Sequence, residues 1–410
     1  MNTGPLRVAF FPDAYHEIDG VANTSRHFES FAMRKGLPFL TVLGGTKSSV
    51  EEHGSVTRIE RRRGRIGFPL DKKHDFDLAF WRHYKVIEKA VRDFDPDILH
   101  ITGPSDNGQI GAMVAHRLRI PLAASWHTNL HEYAEQRASR LMFFLPPPVR
   151  QKIGAAIREA SLLATLRFYK IAQILYAPNQ ELIDLLEKGT GKACYPMQRG
   201  VDTELFNPAR RERSDRTFVL GYVGRLSTEK NVRFLADIER ELVQAGLTNV
   251  RFLVVGQGAE DSWLKANLRH ADFTGVLHGE ELARAYAQMD LFTFPSLTDT
   301  YGNVVLEAMS AGVPAIVTDK GGPQFIVQPG ETGYVARNLT EFVNYIKPLS
   351  LHPEHLLPMR IAARKHALST SWDRTFESVY ANYDRELRST VVGKKVRVRA
   401  HARVATTPAG

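Results

Sequence analysis

Short apolar runs alternate with amphipathic stretches along most of this chain. Val8–Phe11, Ile98–Ile101 and Leu291–Phe294 are typical of the runs, and Asp106–Leu118 is typical of the stretches between them. Because hydrophobicity in these runs is continuous and does not alternate with polar residues, they predict parallel strands that are covered on both faces. Repeated strand–helix units predict an α/β fold with doubly wound sheets, whose ligands bind beyond the carboxyl ends of the strands.

The predicted elements form two series, one in each half of the chain. The predicted strands are Val8–Phe11, Phe39–Leu43, Ile98–Ile101, Leu122–Ser125, Ile174–Ala177, Val219–Val223, Phe252–Val255, Leu291–Phe294 and Ala315–Thr318. The predicted helices include Leu78–Val91, Asp106–Leu118, Val232–Leu242, Glu280–Met289 and Trp372–Leu387. The series breaks around Lys192–Arg216, which places a domain boundary near residue 197.

We therefore expect two Rossmann-like domains that face one another across a cleft. The first covers residues 1–197 and the second covers residues 198–371. A C-terminal helix over residues 372–390 is expected to cross back to the first domain, and residues 391–410 are expected to form a flexible basic tail. A length of 410 residues suits two domains or three.

Composition excludes several classes of protein. With 43% hydrophobic and 24% charged residues, the chain is typical of globular proteins and not of disordered ones. No apolar run approaches the roughly 18–20 residues that a membrane-spanning helix needs, and the N-terminus lacks the pattern of a signal peptide. Cys194 is the single cysteine and can form no intrachain disulfide. We expect a cytoplasmic protein.

Positive charge is concentrated in the first half. Of the net charge of +9, residues 1–200 contribute +7, whereas residues 201–371 contribute −2. Arg61–Arg65 contains four arginines, and the apolar run Leu141–Leu145 precedes Arg150 and Lys152. Apolar residues beside cations favour reversible contact with anionic lipid headgroups, here at the inner face of the membrane. The alternative is an apolar run in the core with solvated cations around it.

The segment Gly221–Asn231 has the sequence Gly-Tyr-Val-Gly-Arg-Leu-Ser-Thr-Glu-Lys-Asn. A predicted strand ends near Gly224, Arg225 and Lys230 follow in a turn, and a helix is expected to start near Asn231. The free amides and the dipole of a helix start attract anions, and two cations strengthen that attraction. The segment suits a diphosphate. The alternative is an ordinary strand–turn–helix unit with surface cations.

The segment Pro295–Pro314 also follows a predicted strand and leads into a helix. Asp299 lies in the loop, and Glu307 lies about one turn inside the helix. A carboxylate on each side of the Tyr301–Val304 amides could bind hydroxyl groups while the amides hold phosphate oxygens. The alternative is an acidic residue that complements the helix dipole, together with a glutamate at the edge of the core.

Four motifs occur in order in the second half: Gly200–Pro208, Gly224–Asn231, Val255–Gly258 and Pro295–Pro314. Together they resemble the C-terminal half of a family-four glycosyltransferase of GT-B fold. The first half resembles the family less closely. There, Ile18–Thr24 is similar to the family's glycine-rich loop, and Ser125–Asn129 is similar to its His-Thr segment.

The resemblance implies a role for each matching residue. Arg225 and Lys230 would neutralise the diphosphate of a nucleotide-sugar donor. Asp299 would contact sugar hydroxyls, and Glu307 would bind the ribose diol. His127 would approach the transferred sugar, although a structural histidine at the end of a buried strand is the alternative. The remaining donor-binding residues are Gly20, Gly224, Tyr301, Gly302, Asn303 and Val304. Asp299 departs from the family pattern, which has glutamate there, so the shorter side chain leaves the sugar contact open.

The implied reaction is the transfer of a hexose, mannose or glucose, from GDP-mannose or UDP-glucose to a hydroxyl acceptor with retention of configuration. No cofactor is expected, because the nucleotide sugar is a substrate, and no paired carboxylates suggest a metal. The acceptor is unidentified, with a lipid as one candidate. An epimerase or hydrolase that acts on nucleotide sugars remains as an alternative. A nucleic-acid-binding protein is a weaker one, because aromatic residues do not accompany the basic runs.

Overall fold

The computed structural model describes residues 4–17, 20–64, 67–71, 74–77, 79–127, 135, 142 and 146–404. For residues 67–71, 74–76 and 389–404 it describes the backbone alone. The chain forms two compact units. Residues 1–197 together with residues 373–410 form the first unit, and residues 198–372 form the second.

The first unit is built on an eight-stranded sheet. Its strands are β1 (Val8–Phe11), β2 (Phe39–Gly45), β3 (Ser49–His53), β4 (Val56–Arg62), β7 (Ile98–Ile101), β8 (Leu122–Ser125), β9 (Ile174–Ala177) and β10 (Cys194–Pro196). They lie in the order β10-β9-β8-β7-β1-β2-β4-β3, and all neighbours are parallel except β3 and β4. Every residue of β1, β7, β8 and β9 is buried, as expected for strands covered on both faces.

Two further strands of this unit, β5 (Gly67–Asp71) and β6 (His74–Asp77), form a separate antiparallel pair. The helices are α1 (Gly20–Arg34), α2 (Tyr84–Phe94), α3 (Asp106–Leu118), α4 (Pro147–Tyr169) and α5 (Gln180–Thr190). Side-chain caps start two of them. Ser105 accepts from the Gly108 amide at α3, and Asn179 accepts from the Leu182 amide at α5.

The second unit contains a six-stranded parallel sheet. Its strands are β11 (Phe218–Val223), β12 (Val250–Val255), β13 (Ala271–Gly275), β14 (Leu291–Phe294), β15 (Ala315–Thr318) and β16 (Gly333–Ala336), in the order β13-β12-β11-β14-β15-β16. Its helices are α6 (Phe234–Gln244), α7 (Asp261–Asn267), α8 (Gly279–Ala287), α9 (Asn303–Ser310), α10 (Leu339–Leu351) and α11 (Leu356–Ser369). The two Rossmann-like α/β sheets confirm the predicted fold class.

The last helix, α12 (Trp372–Val404), packs into the first unit. The ring of Phe376 stacks on Phe28 with 4.5 Å between centroids, and the Tyr176 hydroxyl donates to the Val379 carbonyl at 3.1 Å. We predicted from the sequence that this helix ends near residue 390, but its backbone continues to Val404. Seven of residues 391–404 are arginine, lysine or alanine, which favour helix, and no proline interrupts the segment, whereas its five valines and Gly393 favour helix less.

In the described part of the chain, no helix is both long enough and apolar enough to cross a membrane. The run Leu141–Leu145, on which part of the membrane expectation depended, falls outside the described residues apart from Met142.

Candidate active site

The two motifs of the second unit lie where its strand order reverses. The chain adds β12 and β13 on one side of β11, and it adds β14, β15 and β16 on the other side. The loops that follow β11 and β14 are therefore neighbours, at the position where open α/β sheets bind ligands. The loop after β11 carries Arg225 and Lys230, and the loop after β14 carries Asp299.

Glycines let the loops after β11 and β12 approach each other closely. A Cβ atom on Gly256 would lie 1.9 Å from the Gly224 carbonyl oxygen, and one on Gly258 would lie 2.1 Å from the Leu226 carbonyl oxygen. The φ angle of Gly256 is +137°, which other residues rarely adopt. The Leu226 amide donates to the Gln257 carbonyl at 3.0 Å. These contacts fix the backbone of the loop that carries Arg225.

Arg225 pairs with Glu229, four residues further along the same loop. Its Nη2 lies 3.2 Å from Oε1 of Glu229, and 47% of the Arg225 side chain is exposed. The guanidinium is thus accessible to an anionic ligand while a carboxylate restrains its direction. An exposed pair of this kind contributes little to stability, so a ligand can displace it at small cost.

Lys230 and Asp299 form an ion pair that joins the two loops. Lys230 Nζ lies 2.6 Å from Asp299 Oδ1, and both side chains are largely buried. Burial raises the pKa of Asp299, but the charge and the hydrogen bond of Lys230, together with smaller effects of the Ser296 hydroxyl and the Arg199 charge, outweigh burial, so the net pKa lies below its ordinary value. Asp299 is therefore ionised. Its Oδ2 is buried and has no hydrogen-bond partner among the described residues, which leaves it able to accept from a ligand hydroxyl.

The turn that carries Lys230 differs from the sequence expectation. Thr228–Lys230 form a 3-10 turn, Asn231 has a φ of +52°, and α6 begins only at Phe234. The helix start predicted near Asn231 is therefore wrong. Asn231 adopts the left-handed conformation, which asparagine tolerates better than most residues, and so it interrupts the right-handed helical path. The structure therefore places the charge of Lys230 in this turn without an α-helix start directly beside it.

Helix α9 begins four residues after Asp299, with Gly302 as its N-cap. Gly302 has a φ of +95°, and a Cβ atom there would lie 2.9 Å from Cγ of Pro323. A glycine is therefore required for the chain to turn into the helix. The first amides of a helix have no intrahelical acceptors and attract anions. The amides of Asn303 and Val304 are in that position.

Glu307 lies one turn inside α9. The hydroxyl of Tyr286, on α8, donates to Oε2 of Glu307 at 2.8 Å. Burial raises the pKa of Glu307, and the hydrogen bond from Tyr286 offsets only part of that rise. Because Tyr286 is fully buried, it holds the Glu307 carboxyl at a fixed position on the surface of α9.

Arg199 is a charged residue of this region that the sequence analysis missed. Its Nη1 donates to Oδ1 of Asn303 at 3.3 Å, and its carbonyl accepts from the Tyr301 hydroxyl at 3.1 Å. Arg199 is only 6% exposed. The Tyr301 side chain is therefore engaged inside the protein. A signal for Arg199 existed, because it directly precedes the Gly200–Pro208 motif.

Gly321 and Gly322 were also missed. A Cβ atom on Gly322 would lie 2.0 Å from the Thr300 carbonyl oxygen, and one on Gly321 would lie 2.6 Å from the Asp299 carbonyl oxygen. The Gly322 amide donates to that same Asp299 carbonyl at 2.6 Å. The loop after β15 thus supports the backbone of the loop that carries the carboxylate.

The other two predicted site residues, Gly20 and His127, belong to the first unit. Gly20 is the first residue of α1, and Ile18 and Asp19 before it lie outside the described residues. His127 follows β8 by two residues and is 4% exposed. Its Nε2 lies 2.7 Å from Oγ of Ser125. Thr128 and Asn129, the rest of the His-Thr segment, are outside the described residues.

The basic run Arg61–Arg65 is less available than its sequence suggested. Nη2 of Arg63 lies 3.0 Å from Oδ1 of Asp106, a carboxylate that is 1% exposed. The pair compensates a buried charge, so Arg63 is not a free surface cation. Arg62 is exposed, and Arg65 lies outside the described residues.

The second unit thus combines an accessible guanidinium, an ammonium paired with a carboxylate, two helix-start amides and a second carboxyl. Cations and amides suit a phosphate group, and carboxylates suit the hydroxyls of a sugar. Across the residues that the structure describes, no group of three or more His, Cys, Asp or Glu side chains could hold a metal ion.

Comparison with known proteins gives matches over both units. Residues 19–205 match the family model described as "Glycosyltransferase Family 4", and residues 217–350 match the model described as "Glycosyl transferases group 1". The matches include Ser125–Asn129, Gly224–Asn231, Val255–Gly258 and Pro295–Pro314 in full, and Ile18–Thr24 and Gly200–Pro208 in part.

Individual relatives match over most of their length. A GDP-mannose-dependent alpha-mannosyltransferase of Mycobacterium tuberculosis is 30% identical over 92% of this chain and 96% of its own. A protein with the same description from Mycolicibacterium smegmatis is 32% identical over 72% of this chain and 75% of its own. Among solved structures, a sucrose-phosphate synthase of Thermosynechococcus elongatus superposes with a TM-score of 0.69 at 16% identity, covering 94% of this chain and 100% of that one.

Proposed function

This chain belongs to glycosyltransferase family 4 and has the GT-B fold, and from that premise we propose that it transfers mannose from GDP-mannose to a hydroxyl acceptor with retention of configuration. The relatives that share 30% and 32% of its sequence are described as GDP-mannose-dependent alpha-mannosyltransferases, which favours mannose over glucose and GDP over UDP.

The observation that carries the proposal is the state of Asp299. Its Oδ1 is paired with Lys230, and its Oδ2 is buried without a hydrogen-bond partner among the described residues. A buried unpaired acceptor is costly, so such an atom favours a ligand that donates to it. A sugar hydroxyl next to a diphosphate would satisfy Oδ2, while Lys230 would contact the phosphate.

The donor's departure requires stabilisation of negative charge on the nucleoside diphosphate. Arg225, Lys230 and the amides of Asn303 and Val304 are donors fixed in place before the reaction, which is how preorganised sites stabilise such charge. Glu307 would accept from the ribose diol. The departing phosphate would take the acceptor's proton, so that the new glycosidic bond forms on the face from which the diphosphate leaves.

We also propose that the reaction needs neither metal nor cofactor. Two cations and a helix start offset much of the diphosphate charge, which is the task that a divalent cation performs in other transferases. Activity in excess chelator supports this proposal, whereas loss of activity that manganese or magnesium restores contradicts it.

For the acceptor, we propose a lipid-linked or phosphorylated hydroxyl compound that is approached from an anionic membrane surface. Arg150 and Lys152 support this proposal, because they lie near the start of α4 and make no ion pair within the described residues. Two such cations add to the affinity for anionic headgroups without a permanent anchor.

The direct test is a donor panel with purified protein. GDP-mannose, UDP-glucose, GDP and UDP are compared for thermal stabilisation, and products are then analysed with and without an acceptor extract. Preferential stabilisation by GDP-mannose and an α-linked mannosyl product support the proposal. Epimerised or hydrolysed nucleotide sugar without transfer would identify the alternative activities.

A further inference from the structure

Four buried polar side chains form a continuous hydrogen-bond chain in the first unit. His100, on β7, bonds through Nδ1 to the hydroxyl of Tyr383, on α12, and through Nε2 to Oγ of Ser125 at 3.0 Å. Ser125 Oγ in turn lies 2.7 Å from Nε2 of His127. Tyr383, His100 and Ser125 are 0% exposed and His127 is 4% exposed, so water does not compete with these bonds.

The surroundings of His100 keep it neutral. Its ring stacks on Tyr176 with 5.6 Å between centroids and meets the rings of Phe10 and Phe28 edge-on. Burial among these rings lowers the pKa of His100 to about 3. A neutral imidazole carries one proton and has one accepting nitrogen. His100 therefore donates one of its two hydrogen bonds and accepts the other, so both bonds run in the same direction.

Tyr383 sets that direction. Burial raises the pKa of its hydroxyl well above the usual value, so it keeps its proton. Among the described residues, His100 Nδ1 is the one hydrogen-bond partner of the Tyr383 hydroxyl, and the proton is donated there. The His100 proton must then be on Nε2, from which it is donated to Ser125 Oγ. The Ser125 hydroxyl hydrogen is left to point at Nε2 of His127.

We propose that Tyr383, His100 and Ser125 are positioning residues that hold the neutral His127 ring in its Nδ1–H tautomer, so that the ring offers Nδ1–H as a donor to an oxygen of the transferred sugar. The sugar contact rests on the proposed function, whereas the tautomer does not. The bond made by one ring nitrogen decides which nitrogen carries the proton. In water the other tautomer, Nε2–H, predominates, so the chain of bonds is needed to reverse the preference.

Contacts outside this series of hydrogen bonds also hold the Ser125–His127 segment. The Tyr169 hydroxyl donates to the Ser125 carbonyl at 3.1 Å, and the Trp126 ring stacks on Tyr169 with 5.1 Å between centroids. The Trp126 amide donates to the Tyr176 carbonyl at 2.9 Å. Because these bonds survive replacement of the serine hydroxyl, Ser125→Ala should change the tautomer without displacing His127.

The test is nitrogen NMR on the full chain with ¹⁵N-labelled histidine, with the His127 signals assigned by their loss in His127→Gln. Wild type should show a protonated Nδ1 and an unprotonated Nε2. Ser125→Ala and Tyr383→Phe should both move His127 toward Nε2–H. Tyr380→Phe is the matched control, because the Tyr380 hydroxyl is also buried but has no hydrogen-bond partner among the described residues. It should change nothing.

A second measurement links the tautomer to turnover. Ser125→Ala should lower kcat for sugar transfer about tenfold while the Kd for GDP stays unchanged, since one hydrogen bond to the sugar is worth about that factor. An Nε2–H tautomer in wild type, or a His127 tautomer that Ser125→Ala leaves unaltered, would overturn the inference. Failure of the proposed function is distinguishable, because it would appear as absence of transfer by wild type.

Discussion

Lys230 Nζ and Asp299 Oδ1 lie 2.6 Å apart, although 69 residues separate them in sequence. The pair joins the loop after β11 to the loop after β14 at the reversal of strand order. Lys230 therefore has two roles: its charge keeps Asp299 ionised, and it is proposed to contact the donor diphosphate. Replacing either residue changes the electrostatics of the other, so their variants must be compared in the same assays.

Lys230→Ala should weaken GDP binding ten- to hundredfold. A hydrogen bond to a charged group contributes about 1.5–3 kcal/mol, which corresponds to one to two decades in Kd. Isothermal titration calorimetry of folded protein measures the effect. Lys265→Ala is the matched control, because Lys265 pairs with Asp261 at 2.8 Å but is 54% exposed on the short helix α7. Unchanged GDP affinity in folded Lys230→Ala would remove this residue from the donor site.

The two carboxyl groups should differ in what they bind. Glu307→Gln should weaken binding of GDP itself, because Glu307 is proposed to hold the ribose. Asp299→Asn should leave GDP binding in place and lower kcat or sugar selectivity, and His127→Ala should behave in the same way. Calorimetry with GDP and initial rates with GDP-mannose separate the effects. Equal losses of GDP affinity in Glu307→Gln and Asp299→Asn would show that the division of roles is wrong.

The pH dependence of GDP binding should depend on Glu307. Its raised pKa means that it takes up a proton at a pH where an ordinary glutamate is still ionised, whereas the lowered pKa of Asp299 keeps that carboxylate charged to lower pH. The ribose contact is therefore present above the raised pKa of Glu307 and is lost as pH falls through it.

Kd values for GDP should be measured from neutral pH down to the ordinary glutamate value of 4.5 in wild type and in Glu307→Gln. The titration of GDP itself is common to both proteins and cancels in their ratio. The affinity advantage of wild type should shrink as pH falls. A ratio that stays constant over this range would show that Glu307 is not the titrating contact.

Gly256→Ala should destabilise the protein more than Gly246→Ala does. Both glycines have positive φ angles, +137° and +81°, but a Cβ on Gly256 would lie 1.9 Å from the Gly224 carbonyl oxygen, whereas nothing lies within 4 Å of one on Gly246. Left-handed strain costs about 1–2 kcal/mol, and the clash adds about 1–3 kcal/mol more. Equilibrium denaturation compares them. Equal losses would mean that the close approach of these loops is not required.

Much of the framework was predictable because the buried parallel strands are mostly apolar, with no alternation of apolar and polar residues. Ile98–Ile101, Leu122–Ser125 and Leu291–Phe294 have the predicted bounds. Strands β3 and β13 were missed because they lie at sheet edges and contain charged residues such as Glu51 and Asp272, so they lack the continuous apolar pattern.

The candidate site was predictable only in part. Motif spacing indicates which strand a residue follows, and so it placed Lys230 and Asp299 at strand ends. It does not indicate which side chains touch, so neither their ion pair nor the contact of Arg199 with Asn303 could be derived. The chain from Tyr383 to His127 was likewise hidden, because it joins residues from distant parts of the sequence through packing of α12.

Anionic vesicles should bind the protein reversibly through the first unit. Arg150 and Lys152 are the cations to replace, since Arg63 compensates the buried Asp106. Each cation near an anionic surface contributes about 1 kcal/mol, so Arg150→Ser/Lys152→Ser should weaken vesicle binding about thirtyfold. Co-sedimentation should rise with the anionic lipid fraction. It should fall as salt increases, because the Debye length is only about 8–10 Å near physiological ionic strength.

The charge-matched control is Lys89→Ser/Arg92→Ser on α2 of the same unit. Lys89 and Arg92 pair with Asp93 and Glu88, each at 2.5 Å, so they present little uncompensated charge. This variant removes as much formal charge as the first but should keep nearly all vesicle binding. If both variants lose binding equally, general net charge and not a local surface is responsible. Absence of vesicle binding at low salt, with full activity on a soluble acceptor, would refute membrane contact and leave the glycosyltransferase assignment intact.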